Sequence, residues 1–258
     1  MELSRFLAGR AFPIRPEPEG RFWFHSAPMP DGTRIRSGIA EQETQFIALA
    51  EMLGLEPGLF EGRQVLDIGA ADGFFSVAAA AGGAEAVTAI DCDYVDWPLN
   101  ISGLAAAWGA NITLETGDFR THTFPGIFDT VLFLGVLYHL EDAFAAFRKL
   151  RDLVVPGGHL VMETQMSGIA HELPIFELAS DVYKTVADQA LDYADMVGVS
   201  NYLFPNLPAV HQLAHMSGFD CRQAAPSAYS ERFTTRAIFV MRRLEEGERW
   251  RPPATNAR

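Results

Sequence analysis

Residues 65–75, V-L-D-I-G-A-A-D-G-F-F, limit the fold of this chain more than any other stretch. The apolar residues Val65, Leu66 and Ile68 run into a turn of small residues, Gly69, Ala70, Ala71, Asp72 and Gly73, and a second apolar stretch follows from Phe74 to Ala81. That pattern reads as a buried strand, a tight loop and the first turns of a helix. Glycine serves such a loop where backbone must approach a ligand closely, or where a turn torsion excludes Cβ. A second strand pattern, residues 86–90, ends in Asp91. Asp91 follows Gly73 by close to the ~20 residues that separate a nucleotide-binding glycine loop from the carboxylate that holds a ribose. The loop is not G-x-G-x-x-G, and no Lys-Ser/Thr follows it. A ligand without pyrophosphate is therefore favoured over a nicotinamide cofactor.

Strand and helix patterns alternate around this loop. An amphipathic helix is predicted over 39–55, from Phe46, Ile47, Leu49, Ala50 and Leu53, with Gly54 and Pro57-Gly58 ending it. Further strands are predicted at 64–68, 112–115, 128–134 and 159–163, and further helices at 74–81 and 99–108. Residues 128–134 are almost continuously apolar, as a strand covered on both faces must be. Phe144, Phe147, Leu150 and Leu153 give another helix, with Asp142 as its N-cap. Pro156-Gly157-Gly158 reads as a turn into the fifth strand. This alternation predicts an α/β fold, a Rossmann-like doubly wound and mostly parallel sheet.

The flanks differ. Residues 1–38 read as an N-terminal arm and cap: a short helix, a proline-rich link, then a small hairpin turning at P-M-P-D-G-T. Residues 165–208 break the alternation and carry Phe176, Tyr183, Tyr193, Tyr202 and Phe204 without a strand pattern. They read as a helical lid insertion over the carboxyl end of the sheet, within a main domain spanning 39–243. A helix is predicted at 209–217 and strands at 219–224 and 235–241. Residues 244–258 read as a loose, charged tail.

Composition bounds the function classes. Acidic residues outnumber basic ones 33 to 20, for a net charge of −13. Nucleic-acid binders carry a basic footprint that neutralises phosphates, so a nucleic-acid partner is not expected. Two cysteines make no disulfide framework, and no apolar run approaches the ~18 residues that span a bilayer. The opening M-E-L-S-R-F-L-A-G-R has no hydrophobic region with a cleavage site. A cytoplasmic protein acting on a small molecule, with no metal, is expected; a homodimer is left open.

The strings D-I-G-A-A-D-G-F-F, A-I-D, G-V-L-Y-H and L-V-V-P-G-G-H-L-V-M-E-T occur in that order. With them the chain resembles the class I S-adenosylmethionine (SAM) methyltransferases, in the branch that contains the tRNA wobble-uridine carboxymethyltransferases and their small-molecule-methylating relatives. The resemblance runs from about Arg21 to Met241, with Ala71 where the family pattern most often has glycine. It implies a seven-stranded sheet whose last strands are antiparallel, SAM as cofactor, and the upstream segment lying over the cofactor. Trp23, His25 and Arg36 are then pocket candidates.

Ligands of open parallel sheets bind outside the carboxyl ends of the strands. The candidates sit at such ends: Asp67 with Gly69, Ala71 and Gly73; Asp91 with Cys92; Asp118 with Phe119; Gly135 through Tyr138 to His139; and Glu163. The chemistry of SAM suggests roles. Asp91 can accept from both ribose hydroxyls, and Asp118 can accept from the adenine amine while Phe119 and Cys92 pack on the ring. Backbone at Gly69 and Gly135 and the start of the next helix can hold the amino-acid end. An aromatic face from Tyr138 or Phe74 suits the sulfonium. Catalysis is expected to rest on positioning, with His139 as general base for a hydroxyl acceptor. Tyr183, Asn201 and Tyr202 in the lid, with Glu163 and Arg236, are expected to meet the substrate. The tRNA-acting relatives use carboxylated SAM and hold its extra carboxylate with basic and hydroxyl groups; Tyr138 and Arg236 match, while no upstream lysine does. Methyl transfer from SAM to a small molecule is the expected activity, with carboxymethyl transfer to a tRNA wobble uridine as the alternative.

Overall fold

A computed structural model describes residues 2–16, 20–36, 44–92, 96–178, 201–226 and 236–248. The strands of the main sheet are β1 (Gln64–Ile68), β2 (Ala86–Asp91), β3 (Ile112–Thr116), β4 (Phe128–Leu134), β5 (Val154–Gln165), β6 (Phe219–Pro226) and β7 (Arg236–Arg243). Their order is β6-β7-β5-β4-β1-β2-β3. The five strands β1 to β5 are parallel, and β7 runs antiparallel to both β5 and β6. Among the described residues the α-helices are α1 (Leu3–Ala8), α2 (Thr44–Leu55), α3 (Phe74–Ala81), α4 (Trp97–Trp108), α5 (Ala143–Leu153) and α6 (Leu207–Met216).

The two-residue period of a strand sends successive side chains to opposite faces. Leu66, Ile68, Val131, Phe133, Leu160, Met162, Phe239 and Met241 pack under α5 and α6. Val65, Leu132, Val161, Ile238 and Val240 pack on the other face, with α2, α3, α4 and the N-terminal arm. Both faces are thus covered, which is why β4 reads as nearly all apolar. Asp67 shares its parity with Val65, so its carboxylate points into the layer that contains α3.

Several local expectations meet the structure directly. Asp142 caps α5 by accepting from the Ala145 N–H at 2.8 Å. The cap hairpin pairs Ala27–Pro28 with Arg34–Ile35, and Asp31 accepts from Thr33 within its turn. Two expectations change. The fifth strand starts at Val154 rather than at 159, because its register with β4 shifts between Phe128/Val154 and Thr130/His159. Pro156-Gly157-Gly158 is a bulge inside the strand; a Cβ on Gly158 would lie 2.7 Å from the Asp129 carbonyl oxygen. The stretch expected to hold no strand contains Phe176–Leu178 paired antiparallel with Leu203–Pro205. Three-residue strands are too short to show a period. The lid residues 179–200, including Tyr183 and Tyr193, lie outside the described residues, as do 249–258 of the tail. Leu244 is still tied to the fold, donating to the Gly218 carbonyl at 2.9 Å. Among the described residues, no helix is long and apolar enough to cross a membrane.

Asn206 fastens the segment leading into the short strand pair to the start of α6. Its Oδ1 accepts from Ile175 N–H at 2.9 Å and from Ala209 N–H at 3.0 Å, the latter capping α6. Its Nδ2 donates to the carbonyls of His171 and Leu173. The residue is buried, so truncating it strands several polar groups that water cannot reach. Asn206→Ala should lower unfolding free energy by about 2–4 kcal/mol in urea titration; a loss under about 0.5 kcal/mol would mean these bonds are dispensable.

Candidate functional site

Strand order reverses between β1 and β4, and the loops leaving these strands stand side by side. Gly69, Ala71 and Gly73 all lie at positive φ, at 76°, 48° and 84°. Gly69 is also sterically required, since a Cβ there would come 2.5 Å from Val136 Cγ2 in the loop after β4. Ala71 is the one non-glycine residue at positive φ among the described residues. Its cost of roughly 1 kcal/mol is opposed by what the geometry achieves. The Ala71 N–H donates to Asp91 Oδ2 at 2.7 Å, joining the ends of β1 and β2. The Cys92 N–H donates to Asp91 Oδ1 at 2.7 Å. Each carboxylate oxygen keeps lone-pair capacity for a further donor, so Asp91 fits a ligand bearing two adjacent hydroxyls. Burial raises its carboxyl to about 7, against the pull of those two N–H groups.

Asp67 is fully enclosed and takes the Ser76 hydroxyl at 2.5 Å, pinning the first turn of α3 beneath the loop. Burial raises it to about 6. Asp72, also buried, accepts from the His25 backbone N–H at 2.6 Å and meets His25 Nδ1 at 2.7 Å. The cap thus lands directly on the glycine loop. Sequence reading treats Asp72 as a turn residue only, because its partner lies 47 positions away.

Other expected contacts become supports. Phe74 is fully buried, with ring centroids 5.0 Å from Phe6 and 4.9 Å from Phe46, so it presents no face to a ligand. Trp23, 2% exposed, belongs to the same core layer. Arg36 is exposed at the end of the cap. Asp118 is held by Arg120, whose Nε lies 2.9 Å from both carboxylate oxygens. That bond keeps its carboxyl below the usual range, and an adenine amine would share it with a guanidinium. Phe119 is buried against Phe133, with centroids 5.4 Å apart. Cys92 is half-buried, and burial pushes its thiol up.

A second cluster closes the carboxyl ends of β4 and β5. Arg236 grips Glu163 through Nε–Oε1 at 2.6 Å and Nη2–Oε2 at 2.7 Å. Nη2 also donates to the Tyr138 hydroxyl at 3.3 Å, and the guanidinium carbon sits 4.9 Å from the Tyr138 ring centroid. The register explains the pairing. Glu163 pairs with Ile238, so Arg236 is its same-face diagonal neighbour. Gly135, at φ 72°, leaves room there: a Cβ would lie 3.4 Å from Tyr138 Oη. The His139 ring lies against Tyr138, tilted by 55° with centroids 4.1 Å apart. Tyr202 is exposed beside them, its N–H on the Tyr138 carbonyl at 2.8 Å; Asn201 is half-buried. Among the described residues, no group of three or more His, Cys, Asp or Glu could hold a metal.

An open sheet with this strand order, a glycine loop after its first strand and a carboxylate after its second is the arrangement of a doubly wound nucleoside-binding domain, with its ligand at the switch point. Comparison with known proteins narrows this. Residues 39–224 match a methyltransferase domain, and the chain belongs to that family as a class I SAM-dependent methyltransferase. A "tRNA U34 carboxymethyltransferase" of Psychrobacter cryohalolentis is 35% identical over 120 residues, 42% of this chain and 33% of the relative. One from Pseudomonas syringae pv. tomato is 28% identical over 165 residues, 62% of this chain and 46% of the relative. The chain therefore spans between a third and a half of the length of these curated relatives. The SAM-dependent methyltransferase structure from Mesorhizobium loti superposes with a TM-score of 0.58 at 20% identity, covering 79% of this chain and 99% of that one.

The buried carboxyl of Asp67 gives a pH prediction. Its proton is held more tightly in the folded chain than in the unfolded one. The stabilisation is full below about pH 4 and is lost as pH rises through about 6. A carboxyl raised that far above its ordinary value contributes about 3 kcal/mol at most. Urea titrations from pH 4 to 8 should give a steeper fall in stability for the wild type than for Asp67→Asn. Parallel profiles would show that Asp67 does not titrate in this range.

Proposed function

We propose that the chain transfers the methyl group of SAM to a small-molecule acceptor. The carrying observation is Asp91 at the end of β2, held through both oxygens by backbone N–H groups yet with capacity for two hydroxyls. In this reading Asp91 holds the ribose, and Gly69, Ala71, Gly73 and Gly135 allow the amino-acid end to approach backbone. Cys92, Asp118 and Phe119 border the adenine. Asp67 and His25 support the loop without touching the cofactor.

The cofactor supplies an activated methyl group on a sulfonium. The residues of the chain then have to align the acceptor and exclude water. Tyr138 offers an aromatic face beside the reacting centre, and His139 stands next to it to take a proton from a hydroxyl acceptor. Asn201, Tyr202, Glu163 and Arg236 border the acceptor.

Carboxymethyl transfer to a tRNA is the second reading. The convergence of Tyr138 and Arg236 favours it, as do the names of the curated relatives. Those names leave the charge argument against a nucleic-acid acceptor without support. Against this reading, Arg236 already holds an internal carboxylate, Glu163.

Calorimetric titration with SAM and with carboxy-SAM separates the two. SAM should bind at least tenfold more tightly; a clear preference for the carboxylated form would put the tRNA reading first. Asp91→Ala should weaken SAM binding by about 10–100-fold, from the loss of hydrogen bonds to a charged group worth about 1.5–3 kcal/mol. Since the Asp91 carboxyl lies at about 7, affinity should also fall as pH drops below that value. Unchanged affinity in the variant would sink the ribose role.

A further inference from the structure

The N-terminal cap meets the glycine loop at the Asp72 carboxylate, and that contact adjoins the one that shapes the ribose-facing residue. Asp72 receives His25 twice, through its backbone N–H at 2.6 Å and its ring Nδ1 at 2.7 Å. The preceding residue, Ala71, gives its N–H to Asp91 Oδ2 at 2.7 Å. Ala71 holds a left-handed φ of 48°, which an alanine adopts only when its neighbours impose it. Asp72 is completely buried and His25 is 6% exposed, so water does not stand in for either partner. The His25 ring is itself wedged edge-on against Phe24 and Phe75, with centroids 4.8 Å and 5.7 Å away. These contacts hold the ring between the cap and the first turn of α3, beside the loop.

The rest of the cap is anchored elsewhere. Phe22 N–H donates to Asp96, Asn100 donates to the Phe22 carbonyl, and Trp108 Nε1 donates to the Pro28 carbonyl at 2.7 Å. Gln45 donates to the Ser26 carbonyl at 3.1 Å. These bonds dock the cap on α4 and α2. His25–Asp72 links the docked cap to the loop.

We infer that His25 and Asp72 are positioning residues for cofactor binding: the docked cap sets Asp72, which holds Ala71 left-handed and so aims the Asp91 carboxylate. This rests on the reading of Asp91 as the ribose ligand only in its last step. Coupling of this kind is reciprocal: whatever factor the latch adds to SAM affinity, SAM adds to the latch.

The test has two parts. In the cofactor-free protein, amide hydrogen exchange of the peptide containing residues 69–73 should be about tenfold faster in His25→Ala than in wild type. His25→Asn places an amide N–H close to the Nδ1 position and should restore wild-type exchange, whereas His25→Gln, one methylene longer, should not. In calorimetry, His25→Ala should weaken SAM binding about tenfold, with His25→Asn again restoring it. If His25→Ala melts far below wild type, the Asn and Gln variants alone decide the matter. Equal loop exchange and equal SAM affinity across the histidine variants would overturn the latch. Asp91→Ala binding SAM as wild type does would instead overturn the ribose reading, and the exchange result would still judge the latch on its own.

Discussion

The hydrogen bond from the Ala71 N–H to Asp91 joins the two strand ends on which the site depends. It forms only because the loop between β1 and α3 alternates through left-handed backbone at Gly69, Ala71 and Gly73. Two of these positions are glycine, where the torsion costs little. At Ala71 the strain is set against a hydrogen bond to a charged acceptor, worth about 1.5–3 kcal/mol. The balance favours the bond. A small side chain is tolerated at a position that would otherwise call for glycine.

Three carboxylates crowd around this one loop: Asp67 from β1, Asp72 from the loop itself and Asp91 from the end of β2. Burial raises the Asp67 and Asp91 carboxyls, and repulsion adds to it: Asp67 and Asp72 both raise the Asp91 carboxyl. Each therefore has its own donor, Ser76 for Asp67, His25 for Asp72, and backbone for Asp91. Taking one donor away would leave an uncompensated buried charge, which is more costly than never having built the pair. A loop biased negative in this way suits a cofactor that carries a sulfonium and an ammonium, and suits a dinucleotide pyrophosphate poorly. The electrostatics and the absence of a phosphate-loop lysine agree on this point.

Much of the fold was legible because strand and helix periods differ, and because both faces of the sheet had to be covered. Asp142 as a cap and P-M-P-D-G-T as a turn were readable from local chemistry alone. The strand pair at Phe176–Leu178 and Leu203–Pro205 was not, since three residues carry no period. The site was legible as a set of positions but less so as a set of roles. Phe74 and Trp23 sit where an aromatic could face a ligand or fill a core, and sequence offers no means of choosing. The partners that decide the roles are distant in the chain: His25 for Asp72, Ser26 for Gln45, Arg236 for Glu163. Arg120 is the exception. It stands two residues from Asp118, within reach of an exposed fork, and could have been found from spacing.

Arg236 shows how much a partner changes the meaning of a residue. Considered alone at the start of β7, with Tyr138 3.3 Å away, it would suit a ligand carboxylate. With Glu163 forked onto it, 3% exposed, it is half of a buried ion pair that also holds the Tyr138 ring in place. Two charges already removed from water, in good bidentate geometry, are separated only at a cost of several kcal/mol. A ligand carboxylate would have to displace Glu163 or share one guanidinium with it, placing two like charges within a few ångströms. A neutral methyl group asks nothing of this pair. On the proposed reading, this pair is better matched to a cofactor without the extra carboxylate.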